Sequence, residues 1–217
     1  MLEQGVSYTV YDQKLASPRP WSLDLLPLVF SSQEWQALER GLIQRAELFA
    51  HIFKDLYGKQ EILQKKILPP AVVLGHEAFL RPMAGVLDKD SFPLVFHSAD
   101  MVRQKNGQFM VYYDRTNAPS GSGYALENRL AISRLFPSLY RDSQVHRIAN
   151  YFRALRSSLA RRSPGAAEPT IVFLTPGAGN ETYFEHSFLS TYLGYELVQG
   201  QDLIVNNAIC YLKTFDG

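Results

Sequence analysis

Asp114-Arg-Thr-Asn-Ala-Pro-Ser-Gly-Ser-Gly-Tyr-Ala-Leu-Glu-Asn-Arg129 decides the reading, because an acid at the end of an apolar strand runs into a Ser/Gly loop and then a helix. Phe109-Met-Val-Tyr-Tyr113 announces the strand, Ala118-Pro-Ser-Gly-Ser-Gly123 the loop, and the spacing of Leu126, Leu130 and Ile132 the helix. Backbone N–H groups of such a loop, beside a helix N-terminus, favour an anion. Ser120, Gly121, Ser122 and Gly123 are therefore candidate phosphate contacts, with Arg115 and Arg129 as balancing cations.

Just upstream, Pro93–Val102 and Gln108–Tyr113 read as two strands joined at Asn106-Gly107, a dipeptide suited to the positive φ angles of a type I′ turn. With those two residues central, Lys105 faces Gln108 and Asp100 falls opposite Tyr113, beside Asp114. A small bulge would align the two carboxylates, and this register predicts them within about 4–7 Å of each other. Asp100, Asp114 and the amide of Asn117 then offer the hard oxygen ligands that Mg²⁺ prefers, completed by water and substrate phosphate.

The remainder of the chain sets limits on this chemistry. With 217 residues, 46% of them apolar, it can bury a substantial core. A formal charge of +1 gives no global attraction to nucleic acid or an anionic membrane. The single cysteine, Cys210, excludes an internal disulfide and a cysteine-rich zinc site; its setting in Ala208-Ile-Cys-Tyr-Leu212 reads as a buried strand thiol. No apolar signal core or membrane-spanning run is present, so the expectation is a cytoplasmic protein without a membrane partner.

Three segments are expected: an arm over 1–20, a helical and hairpin part over 21–163, and a small α/β unit over 168–217. Ser31-Ser-Gln-Glu34 spells a capping box, and Trp35, Leu38, Leu42, Phe49, Phe53 and Leu56 carry a helix to Tyr57-Gly58. A shorter helix covers Glu61–Ile67. Eight arginines between Arg129 and Arg162 flank a helical stripe of Ile148, Tyr151, Phe152, Leu155 and Leu159, a pattern that suits a solvated face as well as a polyphosphate. After a linker at Ser163–Pro169, Thr170–Leu174, a helix through Glu181–Leu193 capped by Gly194, and Tyr195–Val198 make a βαβ unit, followed by a hairpin turning on Asn206-Asn207. The fold class is α/β: a helical opening, a mixed sheet with the acid-bearing hairpin, and this βαβ unit.

Other chemistries fit less well. Gly177-Ala-Gly179 follows a strand, but the third glycine of a dinucleotide fingerprint would fall at Thr182, and Glu181 and Glu185 repel a pyrophosphate. Pro119 stands where the first glycine of a nucleophile elbow around Ser122 belongs, and no His-Glu-x-x-His zinc motif occurs.

The Asp114–Arg129 stretch, together with Val73-Leu-Gly-His-Glu-Ala-Phe-Leu-Arg-Pro82, Thr175-Pro-Gly-Ala-Gly-Asn-Glu-Thr-Tyr-Phe-Glu-His186 and Leu212-Lys-Thr-Phe-Asp-Gly217, resembles the circularly permuted ATP-grasp family over nearly all of residues 22–217. More distantly it is similar to ligases of the glutathione-synthetase and glutathionylspermidine-synthetase type. The resemblance implies ATP-dependent joining of a carboxylate to an amine through an acyl phosphate, with Mg²⁺ as cofactor and Asp100 and Asp114 as its acids. The ligand expected two positions after the second acid is Thr116, with Asn117 one further on; the arginine expected two residues before the first acid is Ser98, leaving Arg81 or Arg115 in a catalytic role. Asn180, Glu181 and Thr182 fall in the substrate-side part. The lysines that clasp a nucleotide come later in such chains, and Lys213 is the only lysine after Lys105, so the resemblance implies the N-terminal portion of a longer ligase. A non-catalytic binding module that keeps the scaffold is the alternative.

Overall fold

The computed structural model describes residues 5–12, 15–87, 92–163 and 169–214. The chain divides into two units, Leu28–Pro119 and a discontinuous one made of Met1–Pro27 with Ser120–Gly217.

Leu28–Pro119 is built on one long helix. Helix α1 (Ser32–Leu56) starts where the capping box places it: Ser31 Oγ accepts the Glu34 N–H at 3.2 Å, and the Glu34 carboxylate accepts the Ser31 N–H at 2.9 Å. Asp55, near its end, accepts the first amides of the short helix α2 (Glu61–Gln64), Glu61 N–H at 2.9 Å and Ile62 N–H at 3.0 Å. Helix α2 ends at Gln64, short of the expected Ile67, and Pro70 opens a further helical turn, α3 (Pro70–Leu74). Tyr57 lies between the Phe53 and Phe79 rings, 4.8 Å from each centroid, and its hydroxyl accepts the Leu80 N–H. Trp35 and Phe53 of the apolar stripe are exposed, as are Ile43 and Leu48 beside it.

In the discontinuous unit, residues read as an arm form a hairpin, β1 (Ser7–Asp12) against β2 (Leu15–Pro20). Buried Val6 and the stack of Trp21 on Tyr124 at 4.3 Å fix it, Trp21 Nε1–H donates to Asn128 Oδ1, and the Tyr124 hydroxyl donates to Ser7 O. A few well-placed aromatic anchors do here what a long apolar pattern does elsewhere. Helices α4 (Ser122–Leu135), α5 (Pro137–Asp142) and α6 (Ala149–Ala160) follow the Ser/Gly loop, and Phe152 and Leu155 of α6 are buried as the stripe requires. The βαβ unit is present: β5 (Val172–Leu174) pairs in parallel with β6 (Glu196–Val198) across helix α7 (Tyr183–Leu193), and Gly194 ends α7 in the left-handed conformation. Residues 164–168 of the expected linker and 215–217 of the closing stretch lie outside the described residues.

Three expectations change. The acid-bearing hairpin, β3 (Ser98–Arg103) with β4 (Phe109–Arg115), is a two-stranded antiparallel sheet and not part of a mixed one; β5 and β6 form a separate parallel pair. The last hairpin, β7 (Leu203–Asn206) with β8 (Ile209–Leu212), turns on Asn207-Ala208, both at positive φ, one residue later than Asn206-Asn207. Cys210, expected as a buried strand thiol, lies on β8 and is exposed; among the described residues this ribbon pairs with no further strand. Among the described residues no helix is long and apolar enough to cross a membrane.

Candidate functional site

The β3–β4 hairpin departs from the expected turn and still arrives at the expected pairing. Of Asn106-Gly107 only Gly107 takes a positive φ, and the strands close through Gln104 N–H to Gln108 O at 2.8 Å, leaving the loop Lys105–Gly107. This shifts the register by one residue, so that Met101 faces Val111, and a bulge between Asp100 and Met101 shifts it back. Asp100 is therefore opposite Tyr113, and Ala99 opposite Asp114.

That register separates the two acids. Directly opposed residues share a face and neighbours along a strand alternate, so Asp100, Tyr113 and Arg115 point to one side of the ribbon and Asp114 to the other. The side-chain partners agree. Asp100 accepts a hydrogen bond from Arg115 at 2.6 Å, and Arg115 also lies 4.8 Å from the Tyr113 ring centroid. Asp114, at 14% side-chain exposure, accepts from Arg45 Nε at 3.0 Å and from the other arm of the same guanidinium, and it meets His97 Nε2 at 2.9 Å. His97 in turn packs on Phe49 of α1. The expectation of two carboxylates sharing one cation is thus corrected: they lie on opposite faces, each ion-paired to a different arginine.

Arg45, and after it His97, hold the Asp114 carboxyl below the ordinary range, with burial opposing them. A depressed folded-state pKa adds stability above the unfolded value of about 3.9, and the gain disappears as pH falls through the lowered value. Arg45 is partly open to water, which screens the pair. Asp114→Asn should cost about 1 kcal/mol at neutral pH, a difference that stays level down to about pH 5 and shrinks below about pH 4. Urea midpoints measured across that range test this; a gap that widens on acidification would contradict it.

The remaining hairpin candidates do not join these acids. Asn117 is exposed in the bend after β4, just before Ala118, which takes a positive φ, and Arg81 opens an exposed turn at Arg81–Met83. Neither has a hydrogen bond to Asp100 or Asp114 among the described contacts.

The Ser/Gly loop does bind an anion, and the anion comes from the protein. Gly121 N–H donates to both oxygens of Glu185 at 2.8 Å, and Gly123 N–H donates to Oε1 at 2.7 Å, with Glu185 almost wholly buried. Gly123 is glycine for a steric reason: a Cβ there would stand 2.8 Å from Glu185 Cγ and 3.2 Å from Leu189 Cγ. Tyr124 beside it has its phenol pushed up to about 12, first by burial and then by the Glu185 charge. Ser120 is exposed, Ser122 bonds Tyr151, and Arg129 donates to His146 O at 3.1 Å. For Gly121 and Gly123 the expectation of a phosphate is corrected, since a carboxylate already accepts their hydrogens.

The third group follows β5. Asn180 Oδ1 accepts from Thr182 N at 3.0 Å and from Thr182 Oγ1 at 3.1 Å, while Glu181 contributes its carbonyl to Thr9 N–H of β1 at 2.9 Å. The sequence reading missed the residues behind them: His186 Nδ1 lies 2.9 Å from Thr175 Oγ1, and its Nε2 lies 3.3 Å from Thr182 Oγ1. Burial lowers the His186 pKa, with Glu185 opposing, so the ring is neutral and mediates between two hydroxyls. His186 stands one helical turn after Thr182, and that i, i+4 spacing was the available signal. Arg45, His97 and Glu185 were missed for want of any local signal.

Whether these donors fit a magnesium ion follows from their placement. Among the described residues, no three or more His, Cys, Asp or Glu side chains converge to hold a metal, and Asp100 and Asp114 are each paired with a different guanidinium. The set does not fit Mg²⁺.

Relatives of this sequence are uncharacterised proteins. One from Mycobacterium leprae (strain TN) is 37% identical over 220 residues, covering 100% of this chain and 38% of the relative. One from Mycobacterium tuberculosis (strain ATCC 25618 / H37Rv) is 36% identical over 97% of this chain and 25% of its own length. One from Synechocystis sp. (strain ATCC 27184 / PCC 6803 / Kazusa) is 34% identical over 98% of this chain and 44% of its own length. The chain therefore spans less than half of the curated relatives it matches. The family model for circularly permuted ATP-grasp type 2 matches residues 27–217, a family that generally binds ATP and magnesium and suggests ATP-dependent, ligase-like function. On that match, the chain belongs to the circularly permuted ATP-grasp type 2 family.

Proposed function

We propose that this chain serves an ATP-dependent ligase that joins a carboxylate to an amine. The observation that carries the reading is the family match across residues 27–217. In the proposed reaction the γ-phosphoryl group of ATP passes to a carboxylate oxygen, giving ADP and an acyl phosphate. The amine nitrogen then attacks the acyl carbon, phosphate leaves, and a proton is lost from nitrogen. The described residues act on the substrate side. Asn180, Thr182, Thr175 and neutral His186 gather at the carboxyl end of a parallel strand, where α/β folds commonly hold ligands. Uncharged donors and acceptors of this kind suit the amide or hydroxyl of a peptide-like substrate better than a phosphate.

A second reading, a binding or assembly module without turnover, is favoured by the internal partners of Asp100, Asp114 and the Ser/Gly loop. A coupled ADP-release assay with mixed amino acids and amines separates the two. The ligase reading expects ADP release that requires both an acid and an amine from a full-length mycobacterial relative, and none from these 217 residues alone. Inertness of the relative under all pairings would favour the binding module.

A further inference from the structure

We infer that the β3–β4 hairpin of this chain does not hold the divalent cation its family implies, and that residue 113 is the position that withholds it. The inference rests on the family placement but not on turnover, because a longer protein can draw metal ligands from elsewhere.

The ion pairs alone would not decide the matter. Arg115 and Asp100 are both partly exposed, so water screens the pair, and a cation with several ligands could displace it. The register is the stronger obstacle. Bringing Asp114 to the face of Asp100 requires a one-residue slip of β4, and a slip turns every side chain of that strand over. It would also strip Asp114 from Arg45 and His97. On the Asp100 face as it stands, the position directly across is Tyr113 and the next along is Arg115. A neutral phenol replaces the second hard anionic ligand, and a fixed positive charge lies where a cation's water shell would extend. The other family element is closed in the same manner, since the buried Glu185 carboxylate already accepts the Gly121 and Gly123 amides.

Geometry also says what would reverse this. Opposed residues in an antiparallel pair stand about 4.5–5.5 Å apart at Cβ, a spacing at which two carboxylates clasp one ion. Tyr113 and Arg115 are both exposed, so the double variant Tyr113→Glu/Arg115→Gln can be made without disturbing a core. The test uses MnCl₂ as a paramagnetic probe and MgCl₂ as competitor, followed by broadening of assigned backbone amides.

The wild-type chain should show no selective broadening of the Ser98–Arg103 and Phe109–Arg115 amides at Mn²⁺ levels of about 0.1 mM. The double variant should broaden there, reversibly with Mg²⁺, with affinity raised at least about tenfold. Inorganic phosphate should leave the Gly121 and Gly123 amide shifts of either protein unmoved. Selective wild-type broadening abolished by Asp114→Asn would overturn the inference, as would a folded double variant that gains no site. Failure of the ligase assay would leave these outcomes unchanged, so the two proposals fail separately.

Discussion

Replacing Glu185 by alanine is expected to destabilise the discontinuous unit by about 3 kcal/mol. The carboxylate is 2% exposed and accepts both the Gly121 and Gly123 amides, so its removal leaves two backbone donors without partners at the start of α4. An orphaned buried donor costs about 1–3 kcal/mol, and of the two Gly123 is buried and Gly121 half-buried. Glu185→Gln keeps an oxygen acceptor and forfeits only the charge assistance, for a loss of about 1–2 kcal/mol. The two tryptophans report separately: Trp21 belongs to this unit and Trp35 to the other. Urea unfolding followed by Trp21 in a Trp35→Phe background measures the effect. An alanine variant within about 0.5 kcal/mol of its parent would show that Glu185 does not hold the loop.

The corresponding sensitive point in Leu28–Pro119 is Tyr57. Among the described residues of that unit the buried apolar side chains are Ala50, Tyr57 and Leu63, so one aromatic ring supplies much of the core. Tyr57→Ala removes two ring contacts and the acceptor for Leu80 N–H, and should cost about 3–5 kcal/mol. Tyr57→Phe, which loses the hydroxyl alone, should cost about 1 kcal/mol. Trp35 fluorescence in a Trp21→Phe background gives both values. If the alanine variant cost no more than the phenylalanine one, the ring stack would be incidental to stability.

Features encoded within a few residues were readable directly. The capping box set the start of α1, the apolar run and Gly194 set the βαβ unit, and the pairing of Asp100 with Tyr113 was met. That last agreement came from two offsetting departures, a three-residue loop in place of a two-residue turn and a bulge that restored the count. Acids one register position apart across the hairpin were read as neighbours in space, and strand alternation, which depends on where the bulge falls, separated them. What stayed hidden was every partner distant in sequence. Glu185 reaches a loop more than sixty residues earlier, Arg45 reaches Asp114, and Trp21 finds Tyr124. Local periodicity carries no information on such pairs, because each side chain alone is compatible with a solvated surface.

The placement of the first hairpin governs the order in which the chain can acquire its structure. Strand β1 donates Thr9 N–H to Glu181, Ser7 accepts from Tyr124, and Trp21 donates to Asn128, all residues translated long after the hairpin itself. On the ribosome, Leu28–Pro119 has its sequence complete first, while the N-terminal hairpin must wait, without its partners, until α7 emerges. Closing contacts across so long an interval of sequence costs entropy before any packing is gained. Assembly of the discontinuous unit therefore waits for α7, and the interval before it is when the hairpin's aromatic residues are open to chaperones or to one another.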